Sequence, residues 1–282
     1  MIAQLILNGF VHGAIIALMA TGLNLIFGIL RVVNFWHGEA FMFGAVIVYF
    51  LNVAAGVNYW LALPISVACI VLLGWGLDKA IFSRLRGDIL GGAMVALGLS
   101  LVFLNMMWPI LGPLPKSIPS VVTGTVEIGG AVVSAERLLV VCVSFAVVGG
   151  LFWLIKYTNL GKSMRAVQQD REVALVQGIN VERVCGMTYG MATGLAALAG
   201  GLVGPLFAVA PPMGMSMMLL SLVVVVLGGM GTIIGALIAS LIIGFQQSFT
   251  VAYIGAEWGL AISAIIAMAV LAIRPRGLAG RE

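Results

Sequence analysis

The apolar stretch NFWHGEAFMFG, residues 34–44, carries three polar side chains that could contribute to a solute path. Asn34, His37 and Glu39 lie within six positions of a chain that is 62% hydrophobic and 9% charged. An ionisable side chain at the edge of a membrane segment is a candidate functional residue. A local explanation is also open, because Asn34 can cap a helix and Glu39 can lie in its first turn.

A second polar set lies in the first apolar segment, where Gln4, Asn8 and His12 follow one another at i, i+4 spacing. This spacing places the three side chains on one face of a helix. Polar residues of a membrane helix generally face the bundle interior or a water-filled cavity. We therefore expect Asn8 and His12 to contribute to the same translocation path or gate.

The stretch LGGMGTIIGA, residues 227–236, interrupts an apolar run with several glycines. Glycine breaks inside membrane helices often line a cavity, where the freed backbone groups can find partners. Gly228, Gly229 and Gly231 are therefore further candidates for the path. Two other interpretations stay open, a tight turn at the cytoplasmic surface and the constriction of a channel.

The polar stretch QQDREVALVQGINVERV, residues 168–184, predicts a short helix between two apolar segments. Asp170 is a favourable N-cap, and Glu172 suits the first turn of a helix that begins at residue 171. Gly178 suits the left-handed position after a last turn that ends at residue 177, and Asn180 can cap the next helix. This helix is either a surface connector or a docking element for a cytoplasmic partner.

The sequence contains no motif typical of an enzyme. The tripeptide Gly161-Lys162-Ser163 matches the end of a phosphate-binding loop, but position 156 is Lys where that loop requires glycine. HExxH, GxSxG and Cys/His clusters do not occur. We expect no catalytic residue and no metal site, and we interpret the three cysteines as small core residues: Cys69, Cys142 and Cys185.

These residues must be positioned by helices, because the chain consists of apolar segments separated by more polar connections, two of which are long: 112–135 and 157–183. Nine segments can be delimited: 3–30, 39–55, 59–82, 91–111, 136–156, 184–209, 217–230, 232–252 and 257–273. A bilayer-spanning helix needs about 20 apolar residues. The seventh segment, at about 1.5 Å per residue, is short and is either a half-helix or continuous with its neighbour. We predict an all-α, polytopic integral membrane helical bundle with eight or nine transmembrane segments.

The basic residues predict the orientation of this bundle. Of the 14 Lys and Arg, all but Lys116 and Arg137 lie in connections on one side: Arg31, Lys79, Arg84, Arg86, Lys156, Lys162, Arg165, Arg171, Arg183, Arg274, Arg276 and Arg281. Because such residues concentrate in cytoplasmic loops, we expect residues 157–183 and the C-terminus in the cytoplasm. Residues 112–135 are then an external loop, with turns and a short hairpin. Nine spans would place the N-terminus outside, and eight would place it inside.

Three motifs, taken in order, resemble one family. GLNLIFGILRVVNFWHGEAFMFGA, residues 22–45, is similar to the N-terminal signature of the LivH-type permeases of branched-chain amino acid ABC importers. RAVQQDREVALVQGINVERV, residues 165–184, resembles their cytoplasmic coupling segment, and VVLGGMGTIIGALI, residues 225–238, resembles their third signature. The resemblance continues to RPRGL at 274–278, although Trp36 stands where the family pattern has a small residue.

The resemblance implies that residues 1–282 form a single membrane permease domain of a bacterial ABC importer. Its solute would be a branched-chain amino acid or a related small polar molecule, such as urea, an amide or an aromatic acid. By this analogy, Asn34, His37 and Glu39 shape the path or gate. The helix that docks on the ATPase is then marked by four residues: Asp170, Glu172, Ala174 and Gly178.

The resemblance also implies the partners. They are a second, LivM-type permease, two ATPase subunits and an extracytoplasmic solute-binding protein, with the chain crossing the bacterial inner membrane several times. ATP and Mg²⁺ are then used by the ATPase subunits, so this chain is no enzyme, binds no cofactor and contacts lipid rather than nucleic acid. From the residues alone, one other function stays open: a standalone channel or facilitator for small solutes with a glycine-rich constriction.

Overall fold

A computed structural model describes residues 2–128 and 130–280 of the chain. Its helices are α1 Ile2–Leu25, α2 Trp36–Tyr49, α3 Tyr59–Ala80, α4 Ile89–Leu111, α5 Ala135–Tyr157, α6 Asn159–Gln169, α7 Arg171–Val176, α8 Val181–Val203, α9 Met213–Gly228, α10 Ile233–Tyr253 and α11 Gly259–Ile273. Two π-helical turns, Ile26–Leu30 and Phe50–Ala54, extend α1 and α2. Two 3₁₀ turns, Phe82–Leu85 and Ala256–Trp258, follow α3 and precede α11. The strands β1 Thr125–Ile128 and β2 Ala131–Ser134 pair antiparallel.

The predicted helical bundle and its number of spans are confirmed. Within residues 2–128 and 130–280, eight helical stretches are long and apolar enough to cross a membrane. The helix α9, with 16 residues, is shorter. At about 1.5 Å per residue it covers roughly 24 Å, less than the hydrocarbon core of a bilayer. The expected short helix is therefore present and begins four residues before the predicted segment.

Small residues allow the inner helices to pack backbone to backbone. A Cβ placed on Gly9 of α1 would lie 2.9 Å from the Phe245 Cα of α10, and one on Gly244 of α10 would lie 2.6 Å from the Gly9 carbonyl oxygen. On α8, a Cβ at Gly200 would lie 2.8 Å from the Phe41 carbonyl carbon of α2. Close approach of this kind increases the van der Waals packing that helps helices associate in lipid. As a result α1 and α8 form the buried centre, and α4, α5 and α11 lie at the periphery.

The two ends of α1 identify two faces of the bundle. At its start, Gln4 donates through Nε2 to the Val132 carbonyl at 3.0 Å and accepts from the Val132 amide at 3.1 Å, so the N-terminus lies beside the β-hairpin. We call this face, which includes residues 112–134, the outer face. Residues 157–180 lie at the opposite end, and we call that end the inner face.

The C-terminal segment lies on the inner face. The Leu278 amide donates to the Leu227 carbonyl at 2.9 Å, next to the turn between α9 and α10. Gln168 of α6 donates through Nε2 to the Gly231 carbonyl of that same turn at 3.3 Å. The two ends of the described chain therefore lie on opposite faces, as nine crossings require. Arg281 lies outside the described residues.

Two of the three cysteines do not occupy the predicted core positions. Cys185 is buried within α8, but Cys69 on α3 and Cys142 on α5 are exposed on the outside of the bundle. Both exposed residues lie in apolar runs whose outward faces would contact lipid. Because lipid tails and a protein interior are equally apolar, the surrounding sequence did not distinguish the two locations.

Candidate functional site

Asn34, His37 and Glu39 are completely buried inside the bundle. The alternative that Asn34 caps α2 is wrong, since Phe35 occupies the N-cap of α2 and makes no side-chain bond. Both polar atoms of the Asn34 amide lack a hydrogen-bond partner among the described residues. The amide instead lies next to the Tyr189 hydroxyl of α8, which is buried and likewise unpartnered within the described structure.

His37 connects α2 to α1. Its Nε2 lies 3.1 Å from the carbonyl oxygen of Met19. Because a carbonyl can only accept, this nitrogen carries the proton and Nδ1 of a neutral ring is an acceptor. Gly22 provides the space for the ring, since a Cβ at that position would lie 3.1 Å from His37 Cε1.

Glu39 lies in the first turn of α2, as predicted, but its carboxylate is directed toward α4. The Ser100 hydroxyl donates to its Oε1 at 2.8 Å, and Oε2 has no partner in the part of the chain that is described. Beside it, the buried Trp36 packs edge-on against Phe103 of α4 at 5.9 Å between ring centroids. A large residue at position 36 therefore fills the space between α2 and α4.

The three signature side chains thus face three different helices instead of one shared pocket. His37 faces α1 and Glu39 faces α4, because residues two apart on a helix lie on nearly opposite sides. Asn34 precedes α2 and lies next to Tyr189 of α8. The hydrogen bonds of His37 to α1 and of Glu39 to α4 hold the start of α2 against these two helices. Any direct contact of the three side chains with solute stays a prediction.

An outer cavity of about 500 Å³ opens where α1, α2, α8, α9, α10 and α11 meet near the outer face. It is lined by His12, Phe41, Val203, Phe207, Ala208, Met213, Met215, Ser216, Met217, Leu219, Leu220, Gln247, Ala256, Glu257 and Leu260. Of the predicted path residues, His12 lies on this wall. Gln247 of α10 and Glu257 were not predicted as site residues. The methionine-rich start of α9 is a sequence signal for its own part of the wall only.

Asn8 does not line the outer cavity. Its side-chain oxygen accepts a 2.9 Å hydrogen bond from Nη1 of Arg137 at the start of α5. Gln4, one turn earlier, binds the hairpin backbone at Val132. The polar stripe of α1 is therefore divided: two members attach the outer loop and α5, and His12 alone reaches the cavity.

The glycine-rich stretch forms a tight turn on the inner face, between α9 and α10. Gly229 and Gly231 have positive φ angles of 101° and 81°, which favour glycine. Asn24 of α1 closes the turn, since it donates to the Thr232 carbonyl at 2.6 Å and accepts from the Gly231 amide at 2.5 Å. The Gly228 carbonyl accepts from Ala279 at 3.1 Å.

The surroundings of these glycines differ. Gly231 lines a small inner cavity of about 40 Å³, together with Gly28 and Gln168. Gly228 and Gly229 instead pack against α10 and the C-terminal segment. The glycine-rich stretch therefore forms a tight surface turn, which was one of the open interpretations. A role of the three glycines in the path stays a prediction.

The predicted caps of the inner connection are confirmed. Asp170 Oδ1 accepts from the amides of Glu172 at 2.9 Å and Val173 at 3.1 Å, and Gly178 has a left-handed φ of 79°. Asn180 caps α8 through a 2.9 Å bond from the Arg183 amide. The helix α7 ends at Val176, one residue before the predicted end. The preceding helix α6 was not predicted, although its N-cap Thr158 is a typical signal.

The helix α7 presents an apolar surface to its surroundings. Ala174 is buried against the bundle, whereas Val173, Leu175 and Val176 are 51%, 58% and 89% exposed. Glu172 is also exposed. Exposed apolar side chains beside charged residues are typical of a protein interaction site. The helix has the local structure that a docking element needs.

Comparisons with known proteins agree with the predicted family. A family model described as "Branched-chain amino acid transport system / permease component" matches residues 5–271. The LivH protein of Escherichia coli K12, a high-affinity branched-chain amino acid transport system permease, is 29% identical over 99% of this chain and 95% of its own. The corresponding BraD protein of Pseudomonas aeruginosa is 28% identical over the same shares.

A solved structure supports the fold alone. The chain superposes on "PsaBC from Streptococcus pneumoniae in complex with Fab" with a TM-score of 0.54 and 13% sequence identity. The match covers 96% of this chain and 95% of the other. At this identity the likeness describes the arrangement of helices and carries no statement about solute.

Proposed function

Because the chain belongs to the family of permease components of branched-chain amino acid transport systems, we propose that it imports a branched-chain amino acid or a related small polar solute. It is a multi-pass membrane permease subunit of an ABC transporter, without enzymatic activity of its own. The observation that carries the proposed solute is the full-length similarity to two permeases named for that substrate class.

The outer cavity is the proposed entrance to the path. Its volume, about 500 Å³, lies within the range of known small-molecule sites, roughly 300–1,000 Å³. Methionine, leucine and phenylalanine side chains on its wall suit an aliphatic solute. Glu257 can accept hydrogen bonds from an ammonium group, and His12 and Gln247 can pair with a carboxylate. An amino acid with an apolar side chain matches this combination.

The inner face is the proposed cytoplasmic face. It carries most of the basic residues and the exposed apolar surface of α7, on which an ATPase subunit would dock. ATP and Mg²⁺ would be used by two such subunits. A second permease would complete the path, and a solute-binding protein would deliver solute to the outer face in the bacterial inner membrane.

Co-purification followed by reconstitution tests this function. A tag on this chain should retain an ATPase and a second permease from the native membrane. In proteoliposomes, we expect uptake of labelled leucine or valine only with binding protein outside and ATP inside. Uptake by the chain alone without ATP would indicate a facilitator instead. Uptake of urea or an amide in preference to leucine would retain the importer and change its solute.

A further inference from the structure

We propose that Arg171 is a positioning residue, which joins α7 to the inner end of α1 and carries movement of α7 to the start of α2. The proposal rests on the proposed docking of an ATPase on α7. Arg171 is the first residue of this six-residue helix, and its side chain reaches the carbonyl groups of Ile29 and Leu30 in the bundle. The long apolar side chains of α7 are directed away from it.

Arg171 binds the last carbonyl groups of the first helix. Its Nη2 donates to the Ile29 carbonyl at 3.0 Å and to the Leu30 carbonyl at 3.1 Å. Terminal carbonyls of a helix have no partner within it, and a cation there also opposes the negative end of the helix dipole. The bonds to these two carbonyls therefore attach α7 directly to the π-helical turn that ends α1.

Arg31, which directly follows Leu30, is held in an unfavourable backbone conformation. Arg31 has φ 58° and ψ 34°, a left-handed conformation that residues with a Cβ rarely adopt. Its Nη2 donates to the Gln168 carbonyl of α6 at 3.1 Å. Such strain persists only where surrounding contacts hold it, and it is concentrated at functional and switching segments. Three residues further on lies Asn34, so a change at this point acts on the start of α2.

Two ion pairs near Arg171 join α3 to α8 and form a framework on the inner face. Arg86 pairs with the buried Asp78 of α3 at 2.6 Å and with Glu182 of α8 at 2.7 Å. Arg171 Nη2 also lies 3.9 Å from the sulfur of Cys185 on α8. Because these ion pairs hold α3 and α8 together, movement of α7 displaces the end of α1 relative to α3 and α8. The segment 26–35 between α1 and α2 is then the hinge.

The test replaces the guanidinium in the full complex with ATPase subunits and binding protein. Arg171→Met keeps an apolar side chain of similar reach but removes the donors, and Arg171→Lys keeps a cationic donor. The exposed Arg183 supplies the control, Arg183→Met. Three quantities are measured: the ATPase retained by a tag on this chain, ATP hydrolysis with and without loaded binding protein, and solute taken up per ATP.

We expect Arg171→Met to retain the ATPase and its basal hydrolysis but to lower uptake per ATP about tenfold, a typical size for coupling between sites. Arg171→Lys should restore most of this loss, and Arg183→Met should match the wild type. A purely structural role would lower the amount of complex and leave uptake per ATP unchanged, which would overturn the proposal. A wild-type complex that carries no ATPase would instead overturn the proposed function.

A second variant keeps the test decisive if Arg171→Met does not assemble. Arg171→Gln is then measured in the same way, because its shorter amide does not reach both carbonyl groups. Assembled Arg171→Gln with lowered uptake per ATP supports the coupling role. Normal uptake per ATP, or failure to assemble in this variant as well, shows that Arg171 only stabilises the fold.

Discussion

The Ser100 hydroxyl donates a 2.8 Å hydrogen bond to Oε1 of Glu39, where α4 packs against the start of α2. Both side chains are buried. A carboxyl group buried in an apolar bundle is costly unless it is hydrogen-bonded, so this contact supports Glu39 at its position. It also links a peripheral helix to the polar start of α2.

Removal of this hydroxyl should destabilise the protein. We expect Ser100→Ala to lower the free energy of unfolding by about 1–3 kcal/mol, because it leaves a buried acceptor without its donor. The thermal midpoint of the purified chain in detergent measures the effect. Ser163→Ala on α6 is the control and should change little, because the 3.2 Å bond from the Ser163 hydroxyl to the Asn159 carbonyl is exposed. An unchanged midpoint in Ser100→Ala would show that Glu39 finds another donor.

Replacement of the acid by its amide separates a structural from a functional role of Glu39. Glu39→Gln can still accept the Ser100 bond through its amide oxygen, so we expect normal assembly. If the ionisable group acts in the path or gate, uptake per assembled complex should fall several-fold. The control is Glu127→Gln on the exposed hairpin strand. Normal uptake in Glu39→Gln would assign the carboxyl group to helix packing alone.

A methyl group added at Gly200 should separate α8 from α2. Its Cβ would meet the Phe41 carbonyl oxygen and lie 3.3 Å from the Ala45 amide nitrogen, both backbone atoms that cannot turn aside. Overpacking of this kind costs about 1–3 kcal/mol. Gly98→Ala on α4, where the added Cβ meets no described atom within 4 Å, is the matched control. Thermal unfolding should rank Gly200→Ala below the wild type and Gly98→Ala at or above it.

A charge on the exposed surface of α7 should weaken docking without unfolding the chain. Val176 is 89% exposed, so Val176→Asp loses no internal packing. We expect less ATPase to remain bound to the tagged permease, because an apolar contact is replaced by a hydrated carboxylate. Val132→Asp on the outer hairpin, where the side chain is 54% exposed, is the control. Equal retention of ATPase by both variants would remove α7 from the docking surface.

Gly178, two residues after the end of α7, allows the effect of backbone strain to be distinguished from the effect of its location in the protein. Gly178 and Gly56 have φ angles of 79° and 68°, and a Cβ at either meets no described atom within 4 Å. Alanine at either site should cost about 1–2 kcal/mol of backbone strain. Gly56 precedes α3 near the outer face, so we expect Gly178→Ala alone to lower uptake per assembled complex. Equal uptake in the two variants would make residues 170–178 a passive connector.

Local features of this protein could be predicted from the sequence. The apolar segments gave the helices, and Asp170, Gly178 and Asn180 gave the caps of α7 and α8, because capping bonds join residues two or three positions apart. Asn34 is the exception. Its sequence context suited a cap, but burial against α8 prevailed. The short hairpin in the external loop also followed from local turn residues.

Tertiary packing decided which polar residues meet. Asn8 binds Arg137 and Arg171 binds Ile29, contacts that join residues more than a hundred positions apart. The composition of a span does not indicate its partner, as the different locations of Cys142 and Cys185 illustrate. The sequence by itself determined that this chain crosses a membrane, and it located the apolar spans to within a few residues at most of their starts. Which faces meet was decided only in the folded bundle, because lipid and protein interior are equally apolar and close backbone contact selects the neighbours.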